Sequence, residues 1–165
     1  MRAALTLVTL LSKLTKAVCT FLALGLFALL GIQVIGRYVF NWSPVWATEG
    51  AQILFVWLCF LGFASASNHS QHISLGYLHG RLPSAVRDSA KLLATSTTAM
   101  VGVVVIFGGV ALIERLASAK TSGMEISVTY LYAAPVVGGT LIVFFETAHF
   151  IKHCTSMLSD RKSVV

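Results

Sequence analysis

Four runs of apolar residues, at 17–36, 49–67, 92–113 and 126–145, carry no charge except Glu49, which opens the second. A helix of about 20 apolar residues crosses a hydrocarbon layer about 30 Å thick. Lipid offers the backbone no hydrogen-bond partners, so each run must cross as a helix that satisfies its own amides and carbonyls. The composition agrees: 56% of the 165 residues are hydrophobic and 11% are charged. A soluble domain carries about 25% charged residues. The chain therefore reads as an all-α membrane protein, a single four-helix domain over 1–165. The first run is longer than the apolar part of a signal peptide, about 7–15 residues. It is followed by Arg37-Tyr38-Val39-Phe40 rather than by small residues, so it reads as a retained span.

Basic residues set the orientation. Nine of the twelve Lys and Arg fall before the first run, between the second and third, and after the fourth; three fall on the other side. Both termini are thus expected in the cytoplasm. Tyr38, Trp42, Trp46, Tyr130 and Tyr132 cluster at the outer boundary, where amphipathic rings prefer to sit. The net charge of +6 is spread between apolar runs. It fits contacts with membrane lipids and argues against nucleic acid as a partner.

Residues 2–16 read as an interfacial amphipathic helix. Arg2, Thr6, Thr9, Lys13 and Lys16 recur at helical spacing, and Leu7, Leu11, Leu14 and Val18 form a second stripe. A turn into the membrane is expected before residue 17. A partner-binding arm is the functional alternative for this segment. Pro83 is expected to open a helical extension of the third span.

Little in the chain points to chemistry. Charged groups inside a span mark functional sites by default. Here Glu49 opens the second span, Glu114 and Arg115 end the third, Glu125 precedes the fourth and Glu146 ends it. No phosphate-binding loop, nucleophile elbow or zinc-protease motif occurs. Cys19, Cys59 and Cys154 form no C-x-x-C pair, and Cys19 and Cys59 are expected to pack as small hydrophobes. His69, His72 and His149 fall near the cytoplasmic side, where histidines could ligate haem. The plainer reading is interfacial polar residues, so no cofactor and no metal is expected. Small residues at four-residue spacing, Gly62 with Ala66, Ala94 with Thr98 and Gly102, and Ala134 with Gly138, mark close helix packing. They do not say whether the neighbouring helix belongs to this chain. Pro135 is expected to kink the fourth span or to fit a neighbour. Arg37 and Glu49 flank the first outer loop and are expected to pair.

The stretch from Gly36 to Pro83 resembles the small membrane subunit of tripartite ATP-independent periplasmic (TRAP) transporters, the DctQ type. Arg37-Tyr38-Val39-Phe40-Asn41 closes the first span, and Trp46 and Glu49 open the second. Phe60-Leu61-Gly62 lies within it, His72-Ile73 follows, and Pro83 precedes the third. Tyr130 to Pro135 resembles the start of that family's last span. The sequence departs from the family at Thr48 and Gln52, where acidic and basic residues are frequent, and at Leu75.

The resemblance implies a multi-pass protein of the bacterial inner membrane with no transport site and no enzymatic activity. It implies a scaffold for a larger polytopic subunit that moves an organic-acid-like solute with a sodium gradient. A periplasmic solute-binding protein would deliver that solute. Gly62, Ala66, Gly102 and Gly138 then become candidates for contact with the larger subunit. The outer loops near Phe40 to Trp46 and Ala117 to Met124 would face the soluble protein. A haem-binding membrane anchor of a respiratory enzyme is the alternative from another class. A self-assembling channel or exporter is a third, and it lacks the carboxylate within a span that an exporter needs.

Overall fold

The computed structural model describes the backbone of residues 2–42, 44–78 and 84–162, and the side chains of 8–42, 44–67 and 93–150. The described backbone forms four long helices: α1 (Arg2–Val39), α2 (Val45–Leu78), α3 (Ser84–Leu116) and α4 (Thr129–Lys162). Each contains a segment long and apolar enough to cross a membrane: Val8–Val39, Val45–Ser67, Leu93–Leu116 and Thr129–Phe150. The four apolar runs of the sequence lie one in each helix.

The N-terminal segment departs from expectation. Residues 2–16 and the first span form one uninterrupted helix, with no turn before residue 17. The local reason is composition. No glycine or proline occurs between Arg2 and Leu24, so nothing interrupts the hydrogen-bond ladder. Ser12 and Thr15 point inward on this segment, and Leu10 and Leu14 point outward.

Two short connections bring the helices together at what we call the hairpin end. Between α1 and α2 the Gly36 carbonyl accepts the amides of Phe40, at 3.2 Å, and Trp42, at 2.9 Å. Asn41 adopts a left-handed conformation with φ 48°, which Asn tolerates better than most residues. A Cβ on Gly36 would lie 3.1 Å from the Trp42 carbonyl oxygen, so the tight turn suits glycine. Between α3 and α4 the chain doubles back through a bridge of Lys120 with Ser127. The Ser127 hydroxyl then accepts the amide of Thr129 at 3.3 Å and starts α4.

Packing follows the order α1–α2–α4–α3. The main contacts join α1 to α2, α2 to α4, and α4 to α3, and α1 meets α4 only lightly. This is a staggered layer rather than a closed bundle. Among the described residues its interior is accordingly small: Ala47, Ala51, Leu61, Ala64, Ala134, Ile142 and Phe145 are the buried apolar ones. Large apolar side chains line the outside of all four helices, as they must where lipid or another membrane protein is the neighbour.

Candidate partner-contact site

Glu49 stands in the second turn of α2, facing the α3–α4 connection. Its carboxylate accepts the amide of Gly123 at 2.7 Å and that of Met124 at 2.8 Å. The Thr121 hydroxyl and the Ser122 amide face the same group. Consecutive amides converging on one anion form a nest, which here is filled from within the chain. Bonds to an ionised acceptor are stronger than those between neutral groups, and water competes with them at this exposed position. The loop tip must come close for this. A Cβ on Gly123 would meet Val45 Cγ1 at 2.9 Å and Glu49 Oε2 at 3.2 Å.

This arrangement corrects the expected Arg37–Glu49 pair. Glu49 turns toward the loop, whereas Arg37 is exposed at the end of α1 and makes no ion pair among the described residues. The sequence held one usable signal, the Ser122-Gly123 turn. It did not say that a carboxylate 74 residues earlier would reach that turn. Trp46 is exposed beside this clamp, its ring 6.4 Å from that of Trp42.

The glycines divide into two groups. Gly102 and Gly138, candidates for close helix packing or partner contact, here pack against other helices of this chain. A Cβ on Gly102 would lie 2.9 Å from Val143 and 3.3 Å from the Gly139 carbonyl oxygen. On Gly138 it would lie 2.7 Å from the Phe60 Cβ. Gly109 and Gly139 complete this seam: Gly109 approaches Val136 and the Pro135 ring, and Gly139 approaches Ile106. Pro135 thus fits a neighbour, with the bare α3 backbone opposite it. By contrast, a Cβ on Gly62 would meet nothing within 4 Å, and Ala66 is exposed on the same helix. Cys59 is exposed there too, rather than packed, while Cys19 is half-buried.

At the opposite end, where α1 begins and α4 finishes, the buried polar residues gather in one layer. Ser12 and Thr15 come from α1, Ser67 from α2, Thr95 from α3 and Glu146 from α4. The Ser67 hydroxyl donates to Glu146 Oε1. Glu146 is only 2% exposed and lies inside α4, which continues to Lys162. The sequence placed it at the end of a span; the helix carries it inside, near the level where the apolar segment closes. Buried carboxylates require such partners. His72 lies in α2, but its side chain falls outside the described residues, as does that of His69. His149, half-buried, lies one turn beyond Glu146.

The sequence profile of the family "Tripartite ATP-independent periplasmic transporters, DctQ component" matches residues 26–155. This chain belongs to the DctQ family. DctQ components are multi-pass proteins of the inner membrane, and the four membrane-length helices fit that location. The match takes in the glycine seam, the Glu49 clamp and the Ser67–Glu146 contact. The sialic acid TRAP transporter small permease protein SiaQ of Vibrio cholerae is 26% identical over 135 residues. That alignment covers 81% of this chain and 78% of SiaQ. A putative TRAP transporter small permease protein of Haemophilus influenzae is 33% identical over 73 residues, covering 44% of this chain and 45% of that protein. The sialic acid TRAP transporter permease protein SiaT of Haemophilus influenzae is 29% identical over 77 residues, 47% of this chain but 12% of SiaT. A DctQ-like segment therefore also occurs within a much longer permease chain.

Proposed function

We propose that this DctQ chain is the small, non-transporting subunit of a TRAP transporter, bracing a larger polytopic subunit that moves the solute. The observation that carries this reading is the family match across residues 26–155, on a layer of four membrane-length helices. The side chains support it. The one carboxylate buried among the described residues, Glu146, is engaged by Ser67, and Glu49 is engaged by the α3–α4 loop. Both carboxylates are committed to holding helices together, as suits a brace rather than an enzyme. Family membership also favours this reading over a haem-binding anchor.

In this reading both termini are cytoplasmic and the hairpin end faces the periplasm. The solute is an organic acid, the driving force a sodium gradient, and a periplasmic binding protein delivers the cargo. The support for an acidic solute is that SiaQ and SiaT are named for sialic acid, a carboxylated sugar. The N-terminal turns of α1, with Arg2, Lys13 and Lys16, run into the cytoplasmic headgroup layer.

Affinity purification of the tagged chain in mild detergent tests the reading. A large polytopic partner at equal stoichiometry is the expected result, and the pair in liposomes takes up solute only with sodium outside. A chain that purifies alone, or with a coloured redox enzyme, ends the proposal.

A further inference from the structure

Pro135 stands inside α4, past its first turn, and the helix runs on through it to Lys162. Proline has no amide, so the Leu131 carbonyl, four residues earlier, receives no ladder bond from position 135. Within a membrane such a break is tolerated where neighbouring helices supply contacts in its place. Here both neighbours do. From α3, Gly109 offers bare backbone: a Cβ there would lie 3.3 Å from the Pro135 Cβ and 2.7 Å from Val136 Cγ2. From α2, the Trp57 indole N–H donates to the Tyr130 carbonyl at 3.0 Å, ahead of the proline. Phe60, one turn further along α2, lies against Gly138, beyond the proline. α2 therefore splints the break in α4 from one side to the other.

The two halves of the splint differ in kind. The Phe60–Gly138 contact is a close approach of two helices, and the same pair of helices continues to Ser67 and Glu146. The contact ahead of the proline is one hydrogen bond from a side chain. Trp57 lies well inside the membrane-length segment Val45–Ser67, where an indole N–H needs a protein partner. The turn that it holds is continuous with the α3–α4 connection. Tyr130 and Leu131 donate their amides to the Ser127 and Val128 carbonyls at 3.2 and 3.0 Å, and Val128 donates to the Ala119 carbonyl at 3.0 Å. This hydrogen-bonded piece is fastened to α2 a second time, where Glu49 takes the amides of Gly123 and Met124. Residues 119–134 are thus tied to α2 at two points and joined to the rest of α4 across a proline.

We infer that Pro135 is a joint in α4 and that the Trp57 indole N–H is the latch that keeps residues 119–134 closed on α2. Opening at the joint carries the α3–α4 loop away from Glu49, so the latch and the Glu49 clamp hold the same piece. The latch is the weaker-looking partner by residue type, yet it is the one placed beside the break. The device belongs to the fold of this chain and stands whether or not the small-subunit reading does.

Amide hydrogen exchange of the full chain in lipid nanodiscs tests this. The indole of Trp57 is replaced by its benzothiophene analogue, which keeps the ring shape and lacks the N–H. Trp57→Phe, which also lacks the donor, is measured beside it. Exchange over 129–134 is expected to rise about fivefold in both, the weight of one hydrogen bond. Exchange over 139–145, on the other side of the proline, should keep its wild-type rate. In a Pro135→Ala background the ladder is continuous, and the same two replacements should change exchange over 129–134 little. Unchanged exchange over 129–134 in both Trp57 variants overturns the latch. So does a rise in Trp57→Phe that the analogue does not share, because ring packing then accounts for it. A rise shared equally by 139–145, or an undiminished rise in the Pro135→Ala background, overturns the joint.

Discussion

The carboxylate of Glu49 holds the amide of Gly123 at 2.7 Å and ties the first turns of α2 to a loop 74 residues further along the chain. With Met124 it forms two charge-assisted bonds at the membrane edge. Glu49→Gln keeps a weaker acceptor and Glu49→Ala keeps none. We expect destabilisation in that order, largest for the alanine variant. Limited proteolysis in detergent checks this directly, because the 117–128 loop should become cleavable in Glu49→Ala. Equal protease resistance in wild type and variant would show that the loop holds itself.

Arg37 offers the matching negative expectation. It is exposed and stands apart from the clamp. In a double-mutant cycle of Arg37→Ala and Glu49→Ala the two effects should add within about 0.5 kcal/mol, as independent sites do. A larger coupling energy would restore the ion pair suggested by their positions in the sequence.

Gly102, Gly109, Gly138 and Gly139 let helix backbones approach, whereas Gly62 and Gly108 face open space. Alanine at any of the first four should cost about 1–3 kcal/mol, the usual range for overpacking. Gly138→Ala should stand high in that range, because Phe60 offers its Cβ and backbone rather than a mobile side-chain tip. Gly62→Ala and Gly108→Ala should leave the melting temperature of the purified chain near wild type. Thermal unfolding in detergent ranks the six variants, and a reversed ranking would refute this packing.

Ser67 donates to Glu146 in the buried polar layer. Ser67→Ala leaves the carboxylate short of a donor and should cost about 1–3 kcal/mol. Ser67→Thr keeps a hydroxyl and should recover part of that loss. A hydroxyl that made no contribution would leave Ser67→Ala as stable as wild type in the same melts.

Much of this architecture was legible in the chain. The four apolar runs sit one in each helix because a lipid environment demands uncharged helices, and that demand is written in local composition. The site was less legible. Glu49 read as a partner for Arg37 because the two are neighbours along the sequence and share an interface. The loop amides that take it are backbone groups, and backbone groups leave no trace in residue type. Gly102 and Gly138 read like Gly62 because small-residue spacing is the same whether the opposing helix is internal or foreign.

The sequence by itself determined the number of spans, their helical state and the side on which basic residues collect. These follow from hydropathy and charge, which act residue by residue. Only the tertiary structure decided the order α1–α2–α4–α3, the glycines that are consumed internally and the clamp of Glu49 on the α3–α4 loop. Each depends on which helix face meets which neighbour and at what register. In an apolar solvent that choice is made by shape and by a few polar contacts such as Ser67 with Glu146, not by hydrophobicity, which lipid satisfies as well as a neighbouring helix does.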